Sequence, residues 1–220
     1  MLNFSTSEEN YLKTIFHLQT KDDNVTTNEL AEKLQAKPAS ITDMMKKLKT
    51  RKLVNYQPYR GFRLTAEGKK VALSIIRRHR LWEYFLAEKL NFNWDEVHEV
   101  AEQLEHVSNK KLIDKLDEFL AHPKFDPHGD PIPDTNGKIE PTRQIGLTEL
   151  QLNKPAKICH IVNQSDLLLE HLHEKKIKMG AMIVVKRKFS YDDSLEIKLD
   201  NRISLTISGQ LAKNIFVKHG

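Results

Sequence analysis

The fold of the amino-terminal part of the chain is determined by residues 26–65, TTNELAEKLQAKPASITDMMKKLKTRKLVNYQPYRGFRLT. This stretch opens with a threonine cap at Thr26 or Thr27, followed by a short helix whose apolar residues share one face. After a turn, Pro38 stands near the start of a second helix with apolar residues at helical spacing. The sequence VNYQPYRGFRLT then predicts two short strands around a turn that holds Pro58 and Gly61.

A further helix is predicted before this stretch. Apolar residues recur at helical spacing between Tyr11 and Leu18, and Ser7 is expected to cap the helix because acidic Glu8 and Glu9 follow it. Three helices and a hairpin in this order predict a winged helix-turn-helix.

Three more helices are predicted downstream, within residues 65–90, 93–107 and 109–123. The first carries a strongly apolar stripe formed by Val71, Ile75, Leu81, Trp82, Phe85 and Leu86. A purely intramolecular core is one explanation of this stripe. Its large aromatics exceed what a small winged domain could cover, so we expect part of it to form a dimer interface.

The last third of the chain has a different character. Residues 121–145 contain five of the eight prolines, which predicts a linker or extended arm. Beyond it, PAKICHIV, KMGAMIVVKRKF and DSLEIKLDNRISLTI predict strands, and ISGQLAKNIFV is expected to end in a short helix. The fold class expected for the whole chain is mainly α with a small β domain.

Composition excludes several classes of protein. The 220 residues are 39% hydrophobic and 30% charged, and no apolar run approaches the ~20 residues of a spanning helix. The single cysteine, Cys159, excludes a disulfide scaffold and a Cys-rich zinc site. The amino terminus shows no secretory signal pattern. We therefore expect a cytoplasmic protein with no membrane partner.

Charge is distributed unevenly along the chain. Residues 1–80 carry 16 Lys and Arg against 8 Asp and Glu, whereas residues 81–140 carry 6 against 14. A basic first third followed by an acidic, histidine-bearing middle suggests a polyanion-binding module joined to a part that holds cations. Solvated faces that differ by chance would give the same counts.

The winged helix-turn-helix predicts a DNA contact surface. Its second motif helix enters the major groove, and flanking basic residues meet phosphates. Basic helices also occur on proteins that bind no DNA, so the pattern alone is not decisive. The residues expected at DNA are Thr27, Lys37, Pro38, Ala39, Ser40, Thr42, Asp43, Lys46, Lys47 and Arg60, with Lys49, Arg51 and Arg63 as further phosphate contacts.

A second set of residues predicts a metal site. His98, Glu102, Glu105 and His106 stand at i, i+4, i+7 and i+8, so they share one face of a predicted helix. A preceding helix presents a histidine and a glutamate at i, i+4, namely His79 and Glu83. Imidazole and carboxylate together suit a divalent first-row metal. A solvated helix face is the alternative for any one pair, and six residues in matched registers favour ligands.

Three runs resemble a known family: RRHRLWEYFL, HEVAEQLEHV and DPHGDPIP. They are similar to those of the diphtheria toxin repressor family of metal-dependent transcriptional regulators, over nearly the whole chain. The resemblance implies a DNA-binding domain at residues 1–64, a helical dimerisation and metal domain at 65–122, a linker at 123–145, and an SH3-like domain at 146–220.

The resemblance also implies the metal ligands. His79, Glu83 and His98 match the family's ancillary site, to which Asp166 of the SH3-like domain is expected to contribute. Three further side chains match the primary, regulatory site, namely Glu102, Glu105 and His106. Asn10 falls where family members usually offer Met or Asp to complete that site. Lys13 stands where one manganese branch supplies a second carboxylate, so a two-manganese site of the kind found in that branch is not expected.

The cofactor implied is Mn(II), because Glu102 replaces a cysteine of the iron branch and is a harder ligand. Fe(II) is the alternative, and other divalent first-row metals are expected to substitute in vitro. In the linker, Asp126 and Asp130 replace polar residues that, with Arg80, hold an anion in the iron branch. They either bind cations or remain solvated.

The expected function is that of a homodimeric repressor that binds a pseudo-palindromic double-stranded operator, with no small organic substrate and no catalysis. Metal would favour the DNA-binding arrangement. A dimetal hydrolase and a constitutive DNA-binding protein are the competing interpretations.

Overall fold

The computed structural model describes residues 4–19, 24–57, 60–93, 96–141, 143–162 and 165–218. The chain divides into two compact units. The first comprises Met1–Trp82, Ala101–Phe119 and Pro133–Ile139, and the second comprises Glu83–Val100, Leu120–Ile132 and Glu140–Gly220.

The first unit contains the winged helix-turn-helix. Its elements are α1 (Thr6–Leu18), α2 (Thr27–Lys33), α3 (Pro38–Thr50), β1 (Val54–Gln57) and β2 (Gly61–Leu64). The two strands pair antiparallel, with Val54 opposite Leu64. This confirms the predicted order of three helices and a hairpin. The predicted turn residue Pro58 lies outside the described residues.

Capping boxes begin the first two helices. The Ser5 hydroxyl accepts a hydrogen bond from the Glu8 N–H, and the Glu8 carboxylate accepts one from the Ser5 N–H. The prediction of Ser7 as the cap was wrong, because Ser5 stands three residues before a glutamate and so satisfies two amide groups reciprocally. Thr26 and Glu29 form the equivalent box on α2.

The core of the winged part lies between its three helices and the hairpin. On α3 the buried side chains are Ile41, Met45 and Leu48, at spacings of four and three, which is one face of a helix. They pack in one cluster with Leu12 and Ile15 of α1. The opposite face of α3 is therefore left to solvent.

The middle of the chain is helical, as predicted: α4 (Ala66–Leu90), α5 (Val97–Leu104) and α6 (Lys110–Phe119). Three residues of the apolar stripe on α4 are buried within the chain: Ile75, Leu81 and Leu86. They belong to the intramolecular core rather than to a surface for a partner. No helix in the described part of the chain is long and apolar enough to cross a membrane.

The second unit contains a six-stranded antiparallel sheet. Its strands are β3 (Ile145–Gly146), β4 (Pro155–Ile161), β5 (Met182–Lys188), β6 (Leu195–Leu199), β7 (Ile203–Ile207) and β8 (Ile215–Lys218), in the spatial order β3-β8-β4-β5-β6-β7. Inward residues such as Ile158, Ile183 and Ile197 are fully enclosed. This is the β-rich, SH3-like domain expected from the alternating pattern.

Two elements of this unit differ from the expectation. A helix, α7 (Asp166–Glu174), follows β4 where no element was anticipated. The short helix expected in ISGQLAKNIFV is α8 (Gly209–Ala212), but the chain then continues as β8 instead of ending in helix. Ile215 and Val217 alternate into the core, and β8 pairs with β4, so pairing with the sheet determines this segment.

Candidate metal centre

In the first unit, the predicted primary-site residues cluster at the end of α5. The helix ends at Leu104, so Glu105 and His106 lie in the following turn and not on the helix as predicted. The Glu105 N–H still donates to the Ala101 carbonyl, at 2.8 Å, which keeps the spacing close to helical. Glu102 and Glu105 therefore remain on one side.

Glu105 is fully buried and is held between two cationic or hydrogen-bonding groups. Its Oε1 lies 2.6 Å from the Lys13 ammonium, and its Oε2 lies 2.6 Å from His79 Nδ1. Burial alone would raise the pKa of this carboxyl group. The hydrogen bonds and positive charge of His79 and Lys13 more than offset that effect, so the pKa of Glu105 is below its ordinary value.

The groups next to Glu105 also have close polar contacts. His106 Nδ1 lies 2.6 Å from Glu9 Oε2, and Arg78 donates both to Glu9 and to the Glu105 carbonyl. Glu9 is buried, and sequence reasoning missed it because it immediately precedes the position that the family uses. The structure thus joins α1 to this turn through Glu9 and Lys13.

The structure gives less information on two other predicted ligands, Asn10 and Asp166. Asn10 is half-buried on α1, next to Glu9. Asp166 is the first residue of α7, and its side chain lies outside what the structure describes.

In the second unit, Glu83 and His98 come together with two linker residues. His98 Nδ1 lies 3.2 Å from Glu83 Oε1, and His128 Nδ1 lies 3.8 Å from the same oxygen. Ligand atoms of Glu83, Asp126 and His128 all lie within 4.8 Å of one another, and all three residues are buried. Asp126 thus joins a set of potential ligands instead of facing solvent. His79, predicted with Glu83 and His98, has its Glu105 contact in the first unit.

The linker loop positions these donors through its own backbone. The Asp126 carboxylate accepts hydrogen bonds from the N–H groups of His128 and Asp130, at 2.8 and 2.9 Å. The His128 carbonyl accepts a bond from the Ile161 N–H on β4, at 3.0 Å. His128 was missed as a ligand because its position depends on this loop. The spacing Asp-x-His in a proline-rich segment was the signal available.

This set fits a divalent metal ion. Two carboxylates and an imidazole are a donor set that first-row divalent metals accept, with bonds of about 2.0–2.2 Å. Such bonds place opposite donor atoms about 4 Å apart. The ligand atoms of Glu83, Asp126 and His128 lie within 4.8 Å of one another, so they would need to move only slightly closer together to bind an ion. Two carboxylates buried side by side are also unfavourable without nearby positive charge. Glu83, Asp126 and His128 would hold the ion, with His98 adjacent.

Gly129 is essential to this loop. Its φ is +88°, and a Cβ added there would lie 1.9 Å from the Cys159 carbonyl oxygen. We expect Gly129→Ala to move the loop and weaken Mn(II) binding about tenfold, the lower end of the losses seen when groups around metal ligands are disturbed. Calorimetric titration would measure this. Gly146→Ala is the matched control, because its added Cβ meets Thr148 at an ordinary 3.5 Å; equal effects of both variants would contradict the loop argument.

The predicted DNA-contacting residues lie on the outer face of α3 and beside it. Thr27 is partly exposed, and the other nine are exposed, namely Lys37, Pro38, Ala39, Ser40, Thr42, Asp43, Lys46, Lys47 and Arg60.

Glu8 connects α1 to this helix through Arg51 at 2.6 Å and Lys47 at 3.4 Å. Burial would raise the pKa of Glu8, but the Ser5 N–H and these two cations lower it to about 2. Lys47 therefore stands next to a carboxylate that is charged at neutral pH.

Three family models match successive parts of the chain. They are described as the iron dependent repressor N-terminal DNA binding domain, at residues 3–62, the iron dependent repressor metal binding and dimerisation domain, at 65–134, and the FeoA domain, at 145–219.

Relatives and solved structures agree with these models. The HTH-type transcriptional regulator MntR of Oceanobacillus iheyensis is 32% identical over 120 residues, which are 54% of this chain and 81% of that protein. The iron-dependent repressor IdeR of Mycobacterium leprae is 27% identical over 173 residues, 76% of this chain and 73% of that one. A manganese-dependent transcriptional repressor in complex with manganese superposes with a TM-score of 0.84 at 28% identity, covering 97% of this chain and all of the other.

The family consists of transcriptional repressors and not of enzymes, which confirms the expectation of no catalysis and contradicts the hydrolase alternative. Divalent metal ions bind in this family, and both manganese and iron repressors are among the relatives. The chain belongs to the diphtheria toxin repressor family of metal-dependent, DNA-binding transcriptional repressors.

Proposed function

We propose that this protein is a Mn(II)-responsive repressor of metal-uptake genes that acts as a homodimer in the cytoplasm. The observation that carries the proposal is the buried group of Glu83, Asp126 and His128, whose ligand atoms lie within 4.8 Å of one another. Carboxylate oxygens are hard donors that suit Mn(II), and this group contains no sulfur ligand. Fe(II) remains the alternative metal.

The second set of proposed ligands is Glu102, Glu105 and His106, with Asn10 from α1, and Asp166 is proposed for the set around Glu83. Metal raises DNA affinity only by as much as it binds more tightly to the DNA-binding arrangement than to the other arrangements of the protein.

The domain boundaries that we propose are residues 1–64, 65–122, 123–145 and 146–220.

DNA binding is proposed through α3, its flanking residues and the wing. The exposed face of α3 combines small groups near its start, at Ala39 and Ser40, with cations one to two turns later, at Lys46 and Lys47. Small groups permit close approach to base edges, and the cations contact phosphates.

Homodimerisation is supported by large apolar side chains exposed on α6, where Phe119 is 64% exposed.

The test is a DNA-binding titration. The metal-stripped protein would be titrated onto fluorescent DNA from its own promoter region, at fixed salt, with Mn(II), anaerobic Fe(II) or chelator. We expect Mn(II) to tighten binding at least tenfold, which corresponds to about 1.4 kcal/mol. A larger effect of Fe(II) at equal free concentration would reassign the metal. Equal binding with metal and with chelator would contradict metal-dependent regulation and favour the constitutive DNA-binding protein.

A further inference from the structure

We propose that Lys13 is a built-in cation that occupies the metal-facing side of Glu102 and Glu105, so that a metal ion binds there only by displacing it. The inference rests on the proposed function. It identifies the residue that sets the metal concentration at which this site fills. It concerns the first unit, to which all the residues below belong.

The geometry places the ammonium group between the two carboxylates. Lys13 Nζ lies 2.6 Å from Glu105 Oε1 and 3.4 Å from Glu102 Oε1. His106 Nε2 lies 3.8 Å from that same Glu105 oxygen. The oxygen that a metal ion would share with Glu102 and His106 is therefore the one that the lysine already contacts.

Electrostatics explain why the lysine is held there. Glu105 is fully enclosed, and a buried carboxylate is strongly destabilised unless a positive charge or hydrogen bonds compensate it. Lys13, with a side chain only 14% exposed, supplies one positive charge. A divalent ion would supply two, but it must first break this ion pair. Removing the ammonium should therefore increase metal affinity.

The arrangement also allows the lysine to leave. Glu102 has a side chain that is 53% exposed, so the cluster is open on that edge. The lysine side chain is long and flexible, and its ammonium group is readily hydrated once it reaches solvent. A permanent structural ion pair is the competing explanation, and it predicts that metal affinity does not respond to Lys13.

The experiment compares Mn(II) binding to the metal-stripped full chain and to Lys13→Gln by calorimetric titration. We expect Lys13→Gln to bind Mn(II) at least tenfold more tightly than the wild type at this site. Adding Glu105→Gln to it should remove the gain. Lys13→Arg keeps the charge and should behave like the wild type. Lys110→Gln, which loses an exposed cation that pairs with Asp114, is the matched control and should also behave like the wild type.

A second measurement does not depend on metal affinity. In chelator, Lys13→Gln should unfold at a lower temperature than the wild type, because Glu105 has lost its counter-charge, and Mn(II) should narrow the difference. If Lys13→Gln does not fold, a crystal structure of the wild type with Mn(II) decides: displacement of the lysine from Glu105 supports the inference, and a retained ion pair contradicts it.

The outcomes separate the inference from the proposed function. If Mn(II) strengthens DNA binding of the wild type but Lys13→Gln and Lys110→Gln bind Mn(II) equally, the inference is wrong and the regulator stands. If Lys13→Gln gains Mn(II) affinity while DNA binding of the wild type ignores Mn(II), the inference stands and the regulator fails.

Discussion

Glu83→Gln is expected to lower Mn(II) affinity at the second-unit centre by about a hundredfold or more and to reduce the metal-dependent gain in DNA affinity. Loss of a group that merely orients a ligand already costs 10–100-fold in metal affinity. Glu83 is nearly fully buried, and one of its oxygens lies within 4 Å of both His98 and His128. Glutamine keeps the shape but removes the charge that the ion would neutralise.

Equilibrium dialysis with Mn(II), followed by DNA anisotropy on the same samples, would measure both effects. Glu99→Gln is the matched control, because it removes the same charge from an exposed position of α5 in the same unit. Retained Mn(II) affinity in Glu83→Gln would show that this centre is not the metal site. Retained DNA response with lost affinity would place the regulatory ion elsewhere.

Leu48→Ala is expected to cost about 2–5 kcal/mol of unfolding free energy, the range for removing a large aliphatic side chain from a core. Leu48 is fully buried on α3 and packs in the cluster that includes Leu12 and Ile41. The cavity would loosen the helix that presents the DNA-contacting face, so DNA affinity should fall with stability.

Urea unfolding followed by circular dichroism would measure this cost. Lys33→Ala on α2 is the control, since an exposed substitution of this kind usually changes stability by no more than about 0.5 kcal/mol. A cost for Leu48→Ala below 1 kcal/mol would mean that the core of the winged part is not packed as described.

The winged part and the helices were predictable because local periodicity matches burial there. Ile41, Met45 and Leu48 recur at helical spacing, and the structure buries all three. Helix ends were less predictable, since Ser5 and Ser7 both precede acidic residues and the choice depends on which one can reach Glu8. β8 was missed because its strand character comes from pairing with β4, more than fifty residues earlier.

The candidate metal residues were partly predictable from spacing within a helix. Glu83 and His98 each stand in such a pattern, and the structure brings them together. Asp126 and His128 reach the same place through a loop tied to β4, which no periodicity encodes. The pairing of Lys13 with Glu105 joins residues 92 positions apart, so only the folded chain shows it.

Charge compensation around Glu105 has a consequence for the metal-free state of the protein. A metal-dependent repressor spends metal-poor periods without its ion, and proteases degrade proteins that unfold. Lys13 and His79 both lie 2.6 Å from the Glu105 carboxylate, so the empty chain carries no uncompensated charge at that buried position. We therefore expect this region to stay folded without metal, so that the same molecules can bind a metal ion again when it returns.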